Sequence, residues 1–468
     1  MKSYEEFFKG KNVTSLGLGL LGRGVGDAEF IAQYAREVIV TDKKTEKELA
    51  ESVERLKKYP NIKFHFGGHR KEDFSSEGGS ASGGHGPDMV IKAAGVRLDS
   101  PEIAAARAAG VPVYMSTALF AKFAREAGAT IVGVTGTRGK TTVTQMIYHA
   151  LKLHLGLNRA EGAVGRTTLQ GKVVLGGNIR GLSTLALIPE VKPSDIVVLE
   201  LDSWQLQGFG DLQMSPDIAV FTNLMPDHQN YYGSMDAYFE DKANIYKYQK
   251  EGNKLITGNG LTERLKTTHT PCEAFLHNSI PADWKLLIPG EHNRQNAALA
   301  KAALESLGLS EGEIKSGLES FEGVEGRLQF VREVNGVKIY NDNNATTPEA
   351  TIAALHALSN DGFQKSITSI ILIMGGSDKG LDMSKLLYEI AKTCKRVILL
   401  AGTGTDRIVP LMQDYSVFDS LESAVQEAIK SAESGDTILF SPAFASFGMF
   451  KNEYERNDQF LKIVRALS

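Results

Sequence analysis

Short apolar runs alternate with amphipathic stretches along most of the chain. The runs are rich in Val and Ile and are bounded by Gly or polar residues, which is typical of strands buried in parallel sheets. The alternation predicts an α/β protein with largely parallel sheets. Strands are predicted at 14–19, 37–41, 89–92, 130–135, 195–201, 217–222, 337–340, 370–374, 396–400 and 436–440. Helices are predicted at 142–153, 235–249, 293–306, 347–358, 383–393, 420–431 and 447–466.

The predicted elements fall into three groups along the chain. A length of 468 residues is also too great for one compact core. We therefore expect three α/β domains, at 1–122, 123–326 and 327–468. The Gly- and Ser-rich segment 75–87 is expected to be a flexible surface loop that carries no chemistry.

The composition restricts the class of protein. A net charge of −4 with 42% hydrophobic residues is ordinary for a globular protein, and no basic stripe suggests nucleic-acid binding. Cys272 and Cys394 are too few for a disulfide framework or a cysteine-based metal site. The charged N-terminus is unlike a signal peptide, and no apolar run approaches the roughly 20 residues that cross a bilayer. We expect a cytoplasmic monomer without nucleic-acid or membrane partners.

A Gly-rich turn lies between the predicted strand 130–135 and the predicted helix 142–153. In a phosphate-binding loop of this kind, backbone N–H groups and the helix N-terminus attract an anion. Lys140 can reach the outer phosphates, and the Thr141 hydroxyl can coordinate Mg²⁺. Val134 stands where the strict G-x-x-x-x-G-K-[ST] pattern has Gly. The turn predicts ATP binding by Gly136, Thr137, Gly139, Lys140, Thr141 and Thr142.

A second Gly-rich turn, at 17–22, follows the first predicted strand, and Asp42 ends the next one. The turn and the acid match a dinucleotide-binding fingerprint, in which the backbone approaches a pyrophosphate and the acid accepts from a sugar or base. These residues alone allow either NAD(P) or a nucleotide-sugar substrate. The phosphate loop downstream favours the substrate, because a dehydrogenase has no need of ATP.

With both turns in place, the chain resembles the Mur ligase family of ATP-dependent amide-forming enzymes. The family's phosphate loop has the form G-T-x-G-K-T/S-T, which 136–142 match. Other matching segments are 176–179, 199–206, 223–228, 241–246, 292–296, 325–327, 341–346, 375–379 and 441–447. The resemblance implies a Rossmann-like domain for a UDP-linked substrate, a central P-loop ATPase domain with a mostly parallel sheet, and a Rossmann-like C-terminal domain for an amino acid.

The resemblance also implies catalytic and metal-binding residues. A carboxylate that ends a strand beside a phosphate loop, as Glu200 does, is placed to hold Mg²⁺. Lys242 matches the lysine that the family carbamylates, a change that turns an ammonium into a carboxylate for a hard cation. The implied catalytic residues are Lys140, Glu200, His228 and Lys242. The implied ligands of Mg²⁺, or of Mn²⁺ in its place, are Thr141, Glu200, His228 and carbamylated Lys242.

Three sets of substrate contacts follow from the same resemblance. Beyond the phosphate loop, ATP would contact Asn293, Asn296, Arg327 and Asp342. The UDP-linked substrate would contact Gly19, Leu20, Leu21, Gly22, Asp42 and Asn178. The amino acid would contact Thr346, Lys379 and Ser446. The sequence departs from the family's pattern at Leu21, Arg180, Asn344 and Glu453.

The reaction implied is the ATP-dependent joining of UDP-N-acetylmuramoyl-L-alanine to D-glutamate through an acyl phosphate. This reaction belongs to peptidoglycan precursor synthesis, and through it to cell-wall biogenesis, cell shape and cell division. The departures leave open a ligase of the same family that adds another amino acid, such as L-glutamate. The first Gly-rich turn leaves open an NAD(P)-dependent oxidoreductase, and the departures also allow a non-catalytic nucleotide-binding regulator.

Overall fold

The computed structural model describes residues 2–18, 22–75, 86–157, 169–227, 229–258, 260–261, 264–265, 274–276, 279–359 and 369–467. The strands of these ranges form three sheets, one with five strands and two with six. Every strand pair in the first two sheets is parallel, and the third has one antiparallel edge strand. The expected α/β architecture with mostly parallel sheets is confirmed.

The first sheet has the strand order β3-β2-β1-β4-β5. Its strands are β1 (Asn12–Leu16), β2 (Glu37–Asp42), β3 (Ile62–Phe66), β4 (Met89–Lys92) and β5 (Val113–Tyr114). Its helices are α1 (Ser3–Phe8), α2 (Arg23–Ala32), α3 (Ala50–Leu56), α4 (Pro101–Ala108) and α5 (Ser116–Glu126). The order reverses between β1 and β4, and ligands of open parallel sheets bind at such a reversal, beyond the carboxyl ends of the strands.

The second sheet has the order β11-β10-β9-β6-β8-β7. Its strands are β6 (Thr130–Thr135), β7 (Val173–Gly177), β8 (Ile196–Glu200), β9 (Ile218–Phe221), β10 (Lys254–Thr257) and β11 (Ala274–Leu276). The helices of this part are α6 (Lys140–Leu157), α7 (Ser203–Asp211), α8 (Gln229–Tyr232), α9 (Met235–Ala243), α10 (Glu291–Ser306) and α11 (Glu311–Glu319). Every residue of the inner strand β8 is buried, as expected for a strand covered on both faces.

The third sheet has the order β12-β13-β17-β14-β15-β16. Its strands are β12 (Gln329–Val334), β13 (Val337–Asn341), β14 (Ile370–Gly375), β15 (Cys394–Leu400), β16 (Tyr415–Phe418) and β17 (Thr437–Phe440). Its helices are α12 (Pro348–Ser359), α13 (Ser384–Thr393), α14 (Thr403–Ile408), α15 (Leu421–Ser431) and α16 (Glu453–Arg465). Short 3₁₀ helices cover Lys71–Asp73, Leu185–Glu190 and Val409–Leu411.

The chain forms two compact units. The first, here the N-terminal unit, comprises Met1–Ser279 and Asn296–Gly317 and contains the first two sheets. The second, the C-terminal unit, comprises Ile280–Gln295 and Leu318–Ser468 and contains the third sheet. The domain boundaries at 122/123 and 326/327 stay predictions. Within the described ranges, no helix combines the length and the apolar character needed to span a bilayer.

Two predicted helices differ from those of the structure by six residues at one end. The helix predicted at 235–249 ends at Ala243, and the residues after it bond to a distant segment: Tyr248 N–H donates to Ser215 Oγ, and the Gln249 side-chain amide donates to Pro216 O. The helix predicted at 447–466 begins only at Glu453, since the preceding Asn452 side chain caps it by accepting two backbone N–H bonds. The predicted loop at 75–87 lies almost entirely outside the described residues.

Candidate active site

The phosphate loop predicted from the sequence leads from β6 into α6. Gly136 and Gly139 both have positive φ, +143° and +80°. A Cβ at Gly136 would lie 1.9 Å from Thr222 Oγ1, and one at Gly139 would lie 2.5 Å from Asn296 Oδ1. Only glycine fits this backbone at the two positions. The loop therefore keeps the tight turn that lets a phosphate approach its backbone.

The end of the neighbouring strand β9 holds the loop in place. Thr137 N–H donates to Asn223 O at 2.9 Å, and Arg138 N–H donates to Asn223 Oδ1 at 2.9 Å. Thr222 Oγ1 donates to Arg138 O at 2.5 Å. Sequence reasoning did not assign these roles to Thr222 and Asn223. Their position after a predicted strand, beside the phosphate-loop strand in the sheet, was the available signal.

Two lysines approach the same carbonyl of the loop. Lys140 Nζ donates to Gly136 O at 3.0 Å and to Thr137 O at 3.1 Å. Lys242 Nζ, from α9, donates to Gly136 O at 2.7 Å and lies 3.4 Å from Thr135 Oγ1. The structure therefore brings two of the predicted catalytic residues together at the phosphate loop.

Lys242 is 1% exposed, although lysine is rarely buried without a charged partner. Its amine lies 4.8 Å from the centre of the Tyr238 ring. Burial, and then the nearby charge of Lys140, hold the pKa of Lys242 well below its usual value. An amine with a lowered pKa is available in its neutral, nucleophilic form.

Glu200 closes β8 and is 3% exposed. The adjacent strand β7 leads into Asn178, whose N–H donates to Glu200 O at 2.8 Å and whose Nδ2 lies 3.5 Å from Glu200 Oε1. Gly177 has φ +90°, and a Cβ there would lie 2.0 Å from Glu200 O. This close approach fixes Asn178 beside the carboxylate.

Three of the four predicted metal ligands, Thr141, Glu200 and Lys242, lie within the described residues. The Thr141 hydroxyl makes no hydrogen bond with the described part of the chain, and it is available as a ligand. His228 lies outside the described residues. Among those described, no group of three or more His, Cys, Asp or Glu side chains is placed to hold a metal ion. Unmodified, Lys242 cannot add a carboxylate.

The first Gly-rich turn borders a cleft at the ends of β1 and β4. Asp42 holds the turn, since its carboxylate accepts from Leu18 N–H at 2.9 Å and from Lys44 N–H at 3.0 Å. Gly22 precedes α2 with φ +77°. Gly19, Leu20 and Leu21 lie outside the described residues.

Two further side chains of this cleft were not predicted. Arg23 begins α2, and its Nη1 donates to Asn178 Oδ1 at 2.8 Å. Asp27, one turn later, accepts from Ser183 Oγ at 2.5 Å, and burial raises the pKa of its carboxyl. The partners lie about 155 residues away in sequence, so no local pattern revealed them.

The three predicted amino-acid contacts lie around one pocket of the C-terminal unit. Lys379 Nζ donates to Thr346 Oγ1 at 2.9 Å, and Ser446 lines the same pocket. The pocket has an empty volume of about 710 Å³. Its other lining residues are Arg327, Asn344, Ala445, Phe447, Glu453 and Tyr454. Two cations and one carboxylate on its walls give it the charges that complement an acidic amino acid.

A fully buried arginine, missed by sequence reasoning, joins the two loops that form this pocket. Arg456 donates through Nε to Asn343 Oδ1 at 2.8 Å and through Nη2 to Asn343 O at 2.9 Å. Its Nη1 donates to Phe444 O at 3.3 Å. Burial lowers the pKa of Arg456 to about 10, which leaves the guanidinium charged at neutral pH.

The remaining predicted ATP contacts include two residues of α10 and one residue after β13. Asn296 approaches Gly139, and Asn293, one turn earlier on α10, donates to Pro289 O at 2.7 Å. Asp342 accepts from Ser441 Oγ at 2.8 Å and from Leu328 N–H at 3.0 Å. Burial raises the pKa of Asp342 to about 7.

Comparison with known proteins identifies two domains in this chain. The Mur ligase middle domain matches residues 134–270. The Mur ligase, glutamate ligase domain matches residues 326–444. Both matches include segments whose motifs resemble those of the family.

Full-length relatives are similar to nearly the whole chain. The UDP-N-acetylmuramoylalanine–D-glutamate ligase of Roseiflexus sp. (strain RS-1) is 33% identical over 98% of this chain and 99% of its own length. The enzyme of that name from Caldanaerobacter subterraneus subsp. tengcongensis is 32% identical over 98% of this chain and 99% of its own.

Solved structures share the fold. UDP-N-acetylmuramate-alanine ligase MurC from Thermotoga maritima covers 97% of this chain and 99% of its own, with a TM-score of 0.58 and 21% identity. MurF ligase from Thermotoga maritima in complex with ADP covers 92% of this chain and 95% of its own, with a TM-score of 0.55 and 17% identity. The expected family and ligase class are confirmed, and the chain belongs to the Mur ligase family.

Proposed function

We propose that this protein uses ATP to join the carboxylate of UDP-N-acetylmuramoyl-L-alanine to the amine of D-glutamate. The observation that carries the proposal is the approach of Lys140 and Lys242 to Gly136 O in the phosphate loop. Full-length relatives that carry the name of this ligase support the choice of substrates. The protein would thereby act in peptidoglycan precursor synthesis, as a monomer in the cytoplasm.

The first half of the reaction activates the substrate carboxylate. A carboxylate oxygen attacks the γ-phosphorus of ATP in line, the bond to the β–γ bridging oxygen breaks, and acyl phosphate and ADP result. Lys140 leaves Gly136 O and Thr137 O to bind the transferring phosphoryl group, whose charge its ammonium balances. The glycines of the loop let backbone N–H groups approach the same oxygens.

Mg²⁺ would balance the charge that develops on the phosphates. The residues that would hold it are Thr141, Glu200, His228 and carbamylated Lys242. The free Thr141 hydroxyl and the acceptor oxygens of Glu200 fit this donor set. Burial and the lowered pKa of Lys242 favour carbamylation, because a neutral amine attacks CO₂ to form a carbamate and release a proton.

The second half of the reaction forms the amide. The neutral amine of glutamate attacks the acyl carbon, the tetrahedral intermediate collapses, and phosphate leaves. Lys379, Thr346 and Ser446 would orient glutamate, with the Lys379 ammonium paired to a carboxylate of the amino acid. ATP would contact Asn293, Asn296, Arg327 and Asp342, and the nucleotide part of the other substrate would contact Gly19, Leu20, Leu21, Gly22, Asp42 and Asn178.

The test is phosphate release with ATP, Mg²⁺ and UDP-N-acetylmuramoyl-L-alanine, scanned across D- and L-amino acids. We expect release to require both the muramoyl substrate and D-glutamate. Release that does not depend on the muramoyl substrate would contradict the proposal.

A second candidate is a ligase of the same family that adds a different amino acid, such as L-glutamate. Glu453 and Asn344 line the amino-acid pocket, and both depart from the family's pattern. The same scan distinguishes the candidates, because this one gives greater release with L-glutamate or another amino acid than with D-glutamate.

A further inference from the structure

The cleft at the ends of β1 and β4 contains one partly exposed arginine. Arg23 lines it together with Gly17, Leu18 and Gly24. A guanidinium has five N–H donors, and Arg23 gives one of them to Asn178 Oδ1. It makes no other hydrogen bond with the described part of the chain. Most of its donors are therefore available to a ligand.

Asp27 also lines the cleft, but it leaves Arg23 available to a ligand. Asp27 is 8% exposed, and its carboxylate accepts from Ser183 Oγ at 2.5 Å. Lys92 also lines the cleft, but it is 2% exposed and its amine donates to Val96 O at 3.1 Å. Arg23 is thus the partly exposed cation that this lining offers to an anion.

Asn178 connects Arg23 to Glu200. One end of its amide accepts from Arg23, and the other end lies 3.5 Å from Glu200 Oε1. Its backbone N–H is fixed to Glu200 O at 2.8 Å. One side chain therefore separates the cation of the cleft from the carboxylate at the end of β8.

We propose that Arg23 binds the diphosphate of the UDP-linked substrate and, through Asn178, positions Glu200 for phosphoryl transfer. The planar guanidinium matches phosphate oxygens in pairs, and its place in the first turn of α2 adds the favourable helix dipole. Substrate binding and the placement of Glu200 then share one set of contacts. The inference rests on the proposed function for the identity of the substrate and for the part of Glu200 in phosphoryl transfer.

The binding half is tested by calorimetric titration with UDP, UMP and UDP-N-acetylmuramoyl-L-alanine. We expect Arg23→Ala to raise the Kd for UDP-N-acetylmuramoyl-L-alanine about 30-fold, as for loss of a charged hydrogen bond. The preference for UDP over UMP should fall by about tenfold. Arg55→Ala is the matched control, because Arg55 lies on α3, is exposed and pairs with Glu29; it should leave both quantities unchanged.

The positioning half is tested by a double-mutant cycle of Arg23→Ala and Asn178→Ala. We expect each change to lower kcat at saturating substrates about tenfold and the pair to lower it by little more than one alone. Arg23→Lys keeps the charge without the planar fork, so it should restore part of the affinity but little of kcat. A purely structural role would lower the melting temperature without changing the preference for UDP over UMP.

The outcomes separate this inference from the proposed function. If the wild-type protein binds no UDP-linked ligand, the proposed function fails. If the wild type binds and turns over the substrate while Arg23→Ala keeps its affinity, the role of Arg23 is overturned and the function stands. Additive effects on kcat in the cycle would overturn the link to Glu200.

Discussion

The side-chain amines of Lys140 and Lys242 share one hydrogen-bond acceptor, the Gly136 carbonyl, at 3.0 and 2.7 Å. Two ammonium groups so close in a buried site repel each other, and the cheaper state leaves one of them neutral. Lys242 is the more buried of the two, and its pKa is lowered. We therefore expect the two lysines to have separate roles, with Lys140 as the cation and Lys242 as the neutral amine.

The first prediction concerns carbamylation of Lys242. Lys242→Arg keeps a cation near Gly136 O but cannot form a carbamate, so we expect turnover to fall at least about 100-fold, as when a group that stabilises transition-state charge is lost. Wild-type protein in ¹³C-bicarbonate should show a carbamate signal by NMR that the variant lacks. Lys247→Arg is the control, since Lys247 lies beyond the same helix and pairs with Glu240 on the surface. An identical carbamate signal in Lys242→Arg would refute the assignment.

The second prediction concerns Lys140. Lys140→Ala removes the ammonium expected on the transferring phosphoryl group, and we expect ADP release to fall about 1,000-fold. The exposed Lys152 of the same helix, changed to Ala, should have no effect on ADP release. ADP release near the wild-type rate in Lys140→Ala would mean that the loop does not serve phosphoryl transfer.

The third prediction concerns Arg456, which joins the loop at Asn343 to the loop at Phe444. Arg456→Met leaves three buried carbonyl oxygens without donors, and we expect the free energy of unfolding to fall by about 3 kcal/mol. The KM for the amino acid should rise about tenfold because the pocket between these loops loosens.

The control for Arg456 is Lys462→Met, on the exposed face of the same helix. Denaturant unfolding and initial rates at varied amino-acid concentration measure the two effects. A variant that loses stability but keeps the wild-type KM would show that Arg456 supports the fold without shaping the pocket.

The phosphate loop could be predicted from the sequence because its strand, turn and helix are consecutive, and each is specified by local residues. The hydrogen bond that holds this loop to Asn223 could not be predicted, since Asn223 and Arg138 are 85 positions apart in the sequence. Arg23 and Asn178 are 155 positions apart, and Arg456 and Asn343 are 113 apart. Contacts of this kind depend on the order of strands in a sheet, which hydrophobic periodicity does not specify.

The ends of the helices also differ in whether local residues or distant contacts determine them. The helix predicted at 293–306 is α10, which begins two residues earlier, at Glu291, and ends as predicted at Ser306. The end of α9 at Ala243 could not be predicted, because the residues after it make tertiary contacts, such as the bond from Tyr248 N–H to Ser215 Oγ, that local sequence does not specify. Local propensity is a weak guide wherever such bonds are available.

The last prediction concerns Lys92, a buried lysine at the end of β4. Its amine donates to Val96 O at 3.1 Å and lies 3.4 Å from Gln207 Oε1, and burial lowers its pKa to about 8. Between about pH 8 and the usual value of 10.5, the unfolded chain therefore binds a proton that the folded protein does not.

Stability must then rise with pH across this window, by about 3 kcal/mol for a shift of this size. Lys92→Met removes the titrating group, so the difference in free energy of unfolding between wild type and variant should grow in favour of the wild type from pH 8 to 10 and stay constant below pH 7. Denaturant unfolding at each pH measures the difference. Lys63→Met, which removes a 61% exposed lysine of the same sheet, should show no such slope. A flat difference curve for Lys92→Met would mean that Lys92 keeps its proton in the folded protein, paired with the surrounding acids Asp211, Asp202 and Asp241.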